Sequence, residues 1–303
     1  MENTSTFKYT LSIIVVAYNP VVEKMKETLV SAINQEGVDF EIIVADDGSD
    51  KEYKDEIIQL FQEYKFKNYK LIMNPKNQGT VRNLLSALDV AEGEYAKGIS
   101  PGDCCYRRDS FQKWIEFIRK GGYDWAFSEA KYYITENGKK QCISGKAHPQ
   151  ILKPYLSCKK KKCQWNYLVL KDIALGAAVI SKTNVCKENL QIIMEAGVKY
   201  AEDNVWRYLM FMGNVAAYYS EITILYEYGA GISTSSNDIW KTRLSSDWEA
   251  TDKLIEGTQN VTRYQKRMIR GMKKANSFWR KVFCQGKIMY SLHGRLFRRM
   301  TPV

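Results

Sequence analysis

The chain has 303 residues, of which 45% are hydrophobic and 26% charged, and a formal net charge of +11. That length accommodates two domains of about 150 residues or one large α/β domain with an appendage, and the balance excludes a disordered, collagenous or low-complexity chain. No apolar run approaches the ~18 to 20 residues of a membrane span, and the first ten residues lack the basic start of a secretory signal, so a cytoplasmic chain is expected.

Leu11 to Ala17 is a continuous apolar, β-branched run, the pattern of a strand buried on both faces of a largely parallel sheet. Asn19-Pro20 reads as a helix start, with Val22, Met25, Leu29, Ala32 and Ile33 following at helical spacing. A second apolar run, Phe40 to Ala45, ends in Asp46-Asp47-Gly48-Ser49, where Ser49 is placed to cap the next helix, Glu52 to Tyr64. A strand is expected at Tyr69 to Met73, a helix at Thr80 to Ala91 and a strand at Tyr95 to Ile99 that ends in Ser100-Pro101-Gly102-Asp103. Strand–helix alternation implies a sheet whose sites gather at the strands' carboxyl ends. The polar clusters after the first, second and fourth strands all fall there.

Further on, Ser110 to Arg119 reads as a helix closed by Gly121-Gly122. Tyr123 to Phe127 is strand-like, and residues 128 to 170 are irregular, with Lys159 to Lys162 an exposed basic loop. A strand at Leu175 to Ile180, a helix at Asn184 to Met194 and a helix over Ala201 to Met212, with Glu202 and Asp203 in its first turn, complete the pattern.

Charge divides the chain. Residues 257 to 303 hold twelve Lys and Arg and no acidic residue, which leaves the preceding 256 at a net −1. We expect a main domain over 1–230 and a basic, mainly helical region over 231–303. Apolar and aromatic residues such as Phe278, Trp279, Val282 and Leu296 alternate with cations in this tail, which suits an anionic membrane surface. The competing reading is a helical extension packed on its own domain. Nucleic-acid binding is disfavoured because the main domain carries no matching basic stripe. Seven scattered cysteines fit free thiols rather than a disulfide framework, and two histidines make a zinc site improbable.

The order of motifs carries a resemblance. They are Ser12 to Asn19, Glu41 to Ser49, Asn77-Gln78-Gly79 with Arg82-Asn83, Ala91 to Tyr95, Pro101-Gly102-Asp103, and Glu202-Asp203-Asn204. In this sequence they resemble the family 2 glycosyltransferases of the GT-A fold, over roughly three quarters of the chain. The resemblance implies a nucleotide-diphospho-sugar donor, UDP-sugar favoured, and an inverting transfer to a hydroxyl of a glycan, and the basic amphipathic tail suggests a lipid-linked acceptor, as in cell-surface polysaccharide synthesis.

It also implies roles. Asp47 would accept from a base N–H, with Ala17, Tyr18 and Asn19 in the nucleotide pocket. Arg82, near a helix N-terminus, is placed to brace phosphates. Asp103 is the metal candidate, since a diphosphate leaving group needs Mg²⁺ or Mn²⁺ and hard oxygen ligands. The family commonly has a second acidic residue here, whereas this chain has Gly102. Asp203 resembles the catalytic base, with Glu202 beside it. Trp165 and Trp206 are candidate acceptor contacts. Two alternatives stand: a GT-A-fold protein that binds nucleotide or glycan without turnover, motivated by Gly102, and a sugar nucleotidyltransferase. The latter usually carries a Gly-rich basic loop where this chain has Tyr18-Asn19-Pro20-Val21.

Overall fold

In the computed structural model, which describes residues 7–144, 147–231 and 238–275, the first apolar run forms β1 (Tyr9–Ala17) in the interior of a mixed sheet. Strands β2 (Phe40–Asp46) and β3 (Tyr69–Met73) extend the sheet in parallel on one side of β1, and β4 (Gly93–Ile99) does so on the other. Beyond β4 the sheet changes sense. Strand β8 (Val179–Lys182) pairs antiparallel with β4, and β6 (Trp125–Glu136) antiparallel with β8. Strand β9 (Ala217–Glu227) pairs parallel with β6, and the short β5 (Cys104–Cys105) closes that edge. The two reversals cancel, so β6 and β9 run in the direction of β1 and their carboxyl ends share its rim.

Alternation along β1 and β2 sorts the core into two layers, because successive side chains point to opposite faces. Leu11, Ile13, Val15, Ile42 and Val44 pack against helices α1 (Val22–Ile33), α2 (Lys54–Glu63) and α4 (Ser110–Gly121). Ile14, Ile43 and Ala45 face α3 (Thr80–Val90), α7 (Thr183–Glu195) and α8 (Asn204–Met212). Both faces are covered, which explains why the strands read as unbroken apolar runs.

Several expectations are corrected. Helix α1 begins at Val22 rather than at Asn19-Pro20. Asn19 takes a left-handed φ of +47° and ties two rim loops together: its backbone N–H donates to Ser49 Oγ at 2.7 Å and its side chain to Asp50 at 2.9 Å. Ser49 donates to Asp46 instead of capping α2, whose N-cap position is Tyr53. The strand expected to stop at Phe127 continues to Glu136, and β7 (Lys139–Ile143) pairs with that extension. Past Phe127 polar residues such as Ser128, Glu129 and Lys131 break up the strand, so no long apolar run announces it. Helices α5 (Lys153–Leu156) and α6 (Lys160–Leu168) also fall in the stretch read as irregular, and the exposed lysines 160–162 open α6.

Past β9, helix α9 (Asp238–Gly257) is built into the main domain. Arg207 of α8 is fully buried and ion-pairs with Asp252 of α9. Its guanidinium also donates to Asn204 at 2.7 Å and lies 4.0 Å from the Trp248 ring centroid. Helix α10 (Arg263–Ala275) buries Met268 and Met272 in the domain core, while Arg263, Lys266, Arg270 and Lys273 are exposed. The apolar side of this helix is therefore spent within the domain. Residues 276–303, with Phe278, Trp279 and the other apolar residues of the tail, lie outside the described residues.

Candidate active site

The loops leaving β1, β2 and β4, together with the segment before α8 and the end of β9, enclose a cleft of about 550 Å³. Of the residues singled out in the sequence, Ala17, Tyr18, Asn19, Asp47, Asp103, Glu202, Asp203 and Trp206 line it. Arg82 and Trp165 do not. Arg82 is exposed on α3, and its neighbour Asn83 lines the cleft and donates to the Ala45 carbonyl at 2.9 Å. Trp165 is half-buried on α6, with the Arg267 guanidinium 5.3 Å from its ring centroid.

At the end of β2 the two aspartates diverge. Asp46 turns back to accept from Ser49 and from the Tyr53 hydroxyl at 2.7 Å. Asp47 accepts from the backbone N–H groups of Gln78 at 2.9 Å and Gly79 at 2.8 Å, which fixes the 77–79 loop as the opposite wall. Burial raises its pKa, and these two donors oppose the rise. Gly48 is required here: its φ is +75°, and a Cβ would lie 2.5 Å from the Lys76 backbone.

Asp103 closes the turn after β4. Its N–H donates to Ser100 O at 3.0 Å, and its Oδ1 accepts from the Glu227 N–H at 3.1 Å. Burial pushes its pKa up to about 7, against the Glu227 hydrogen bond and the nearby Lys97. Lys97 is wholly buried within β4, and burial lowers its pKa to about 8 while Cys105, Asp103 and Asp203 hold its charge. It is a fixed cation beneath both aspartates. Glu227 lines the cleft beside Asp103, accepting on Oε1 from Lys24 at 2.6 Å and from Thr135 at 2.7 Å.

Glu202 and Asp203 precede α8 rather than occupy its first turn, and Asp203 sits at the N-cap position without capping through its side chain. Its carboxylate lies against Gly176, where a Cβ would come within 2.2 Å of Oδ1. Burial raises both carboxyl groups above the usual carboxylate range, opposed at Asp203 by a Trp206 side-chain hydrogen bond and Lys97, and reinforced at Glu202 by repulsion from Asp203 and Asp247. Two adjacent acids thereby share a raised affinity for protons. Trp206 stacks on Trp125 at 4.9 Å and presents only an edge to the cleft.

The segment before this pair is held from α9. The buried Asp247 accepts backbone N–H bonds from Lys199 at 3.2 Å, Tyr200 at 2.6 Å and Ala201 at 2.8 Å. Tyr200 and Trp240 of α9 meet edge-on at 5.3 Å and both line the cleft. Sequence reasoning missed Lys97, Glu227, Asp247, Tyr200 and Trp240. Lys97 left a readable signal, a lone charge inside the strand Tyr95 to Ile99. The others become visible only once β9 and α9 are placed.

Comparison with known proteins agrees with this geometry. Residues 12–174 match the model of the family described as "Glycosyl transferase family 2". An uncharacterized glycosyltransferase of Methanocaldococcus jannaschii is 28% identical over 128 residues, 42% of this chain and 43% of that protein, so the match spans less than half of the relative. Among solved structures, S. aureus TarS 1–349 in complex with UDP-GlcNAc superposes with a TM-score of 0.60 at 18% identity, covering 89% of this chain and 73% of that one. The mannosyltransferase PcManGT from Pyrobaculum calidifontis, in complex with GDP-Man and Mn²⁺, gives a TM-score of 0.61 at 13% identity, covering 98% and 77%. The fold is that of these GT-A structures, and the family match takes in more than half of the chain, including the loops that carry Asp47 and Asp103: the chain belongs to glycosyl transferase family 2.

Proposed function

We propose that the protein transfers a sugar, with inversion, from a nucleotide-diphospho-sugar to a hydroxyl of a glycan acceptor. The observation that carries this reading is the meeting of Asp47, Asp103 and Asp203, from three distant stretches of chain, on one cleft. Asp47 and the 77–79 loop shape the nucleoside end, with Tyr18 and Asn19 beside it. Asp203 takes the proton of the attacking hydroxyl, and Glu202 stands next to it in a pair whose affinity for protons is raised by burial.

The residues present fit a hard divalent cation such as Mg²⁺ or Mn²⁺. Asp103 offers a buried carboxylate on the cleft wall, and Glu227 Oε2 beside it is buried without a hydrogen-bond partner. Asp103 would hold the ion, which neutralises the charge growing on a departing diphosphate. TarS binds UDP-GlcNAc and PcManGT binds GDP-Man with Mn²⁺, so both base classes belong in the test, with UDP-sugars favoured. In a thermal-shift panel of nucleotide sugars with Mn²⁺, saturation at ~100 Kd contributes about 2.7 kcal/mol. For a chain of this size we predict an upward shift of roughly 5 °C or more. A panel with no nucleotide-dependent shift would count against the reading.

A lipid-linked acceptor is part of the proposal, supported by the cations on α10 and in the following tail. No helix among the described residues is long and apolar enough to cross a membrane, so attachment would be at the surface, through charge. The full chain is expected to sediment with phosphatidylserine vesicles at low salt, and a chain ending at residue 275 to remain largely in solution. Equal sedimentation of the two would remove the tail from the account.

A further inference from the structure

We propose that Glu227 supplies the second carboxylate of the divalent-cation site, taking the space that a side chain at position 102 would fill. The proposal rests on the transferase reading for the ion's partner, a diphosphate, but its geometry stands apart from that reading.

The turn after β4 offers a single acidic side chain, Asp103, because the residue before it is glycine. Gly102 has a φ of +104°, and a Cβ built on it would lie 2.4 Å from Glu227 Oε2 and from no other group closer than 3.4 Å. The carboxylate of Glu227 thus arrives from β9 at the place left open in the β4 turn. Its backbone fixes the approach: the Glu227 N–H donates to Asp103 Oδ1 at 3.1 Å. The turn is held from the other side by the Tyr133 hydroxyl, which donates to the Gly102 carbonyl, and by Thr28, which accepts from the Gly102 N–H at 2.9 Å.

The two oxygens of Glu227 are treated unequally. Oε1 is saturated by Lys24 and Thr135, whereas Oε2 is buried with no donor, in a residue that is only 4% exposed. A buried carboxylate oxygen without a partner is costly, and native structures satisfy nearly all such atoms. Next to Asp103 on the cleft wall, the partner that fits these two hard oxygen donors is a divalent cation. Lys24, which ion-pairs with Glu227 at 2.6 Å, offsets the repulsion between the two carboxylates. Among the described residues no group of three potential ligands gathers. Two carboxylates with remaining positions open to phosphate oxygens and water match the way Mg²⁺ is held in phosphoryl sites.

The test is Mn²⁺ uptake by the full chain, followed as loss of the free-ion electron paramagnetic resonance signal, with Mn²⁺ alone and again with saturating UDP. Glu227→Gln is expected to weaken Mn²⁺ at least tenfold in both arms, as is Asp103→Asn. Gly102→Ala, which places a methyl group against Oε2, is expected to weaken it as well. Lys24→Gln removes the ion pair on Oε1 but keeps the carboxylate, and should bind Mn²⁺ at least as tightly as wild type. A Glu227→Gln protein within twofold of wild type would overturn the proposal. So would a Lys24→Gln protein that loses as much affinity as Glu227→Gln, or a wild-type chain that takes up no Mn²⁺ in either arm. Mn²⁺ uptake that depends on Glu227 but is accompanied by no nucleotide binding would support the cation site and refute the transferase reading.

Discussion

Replacing Asp203 with Asn is expected to slow sugar transfer about a thousandfold, the middle of the range for loss of a general base and about 4 kcal/mol in the barrier. Nucleotide binding should survive, because Asp47 and the 77–79 loop, which shape the nucleoside end, keep their hydrogen bonds in this variant. Glu202→Gln is the matched control. Glu202 does not take the proton in this reading, so an amide in its place should keep the rate within about tenfold of wild type. The pH profile gives an independent reading. A carboxylate serves as base only when ionised, so wild-type activity should fall as the pH drops through the raised pKa of the Glu202–Asp203 pair, above the usual carboxylate range. Below that point the fall should be tenfold per pH unit, and the residual rate of Asp203→Asn should lack it. UDP release from the preferred donor, measured between pH 5 and 8, reports all three. Near-wild-type turnover by a folded Asp203→Asn protein would remove the residue from the chemistry.

The second large effect concerns a residue outside the family match. Asp247→Ala leaves three backbone N–H groups, those of Lys199, Tyr200 and Ala201, without their shared acceptor. Hydrogen bonds to a charged group contribute about 1.5 to 3 kcal/mol each, and losses at one acceptor do not add fully. We predict a loss of about 3 to 5 kcal/mol, or roughly 10 °C in melting temperature for a chain of this size. Activity should fall further than the folded fraction explains, since the freed segment leads directly into Glu202 and Asp203. Asp247→Asn keeps one acceptor oxygen and should lose about half as much stability. Melting curves paired with turnover at 20 °C separate the two effects. Full activity in Asp247→Ala would show that the segment holds its shape by other means.

The parallel half of the sheet was legible because its strands are buried on both faces. Runs such as Leu11 to Ala17 and Phe40 to Ala45 therefore announce themselves, and their polar ends mark the rim. The same logic located Asp47 and Asp103. It failed past Phe127, where β6 pairs with β7 and β9 and polar residues interrupt its apolar pattern. Glu227 was hidden for that reason: without β9, a lone acid after Ile224-Leu225-Tyr226 has no place to go. Asp247 was hidden by distance, since nothing local tells a buried acid on α9 from a solvated one. The separation drawn at residue 230 followed composition. Charge changes along the tail, whereas packing continues through Arg207, Asp252 and Trp248 and through Met268 and Met272. Asn19 shows the converse error, in which a good capping residue is used to join two loops.

The shared volume between positions 102 and 227 imposes a rule of mutual exclusion. A chain that bears any side chain at 102 must move the acid at 227 away, and a chain that keeps the acid must keep glycine in its left-handed turn. A side chain gained at 102, 125 residues away in sequence, should therefore be tolerated best where the side chain at 227 is shortened. Engineering that restores an aspartate at 102 should begin by shortening the side chain at 227.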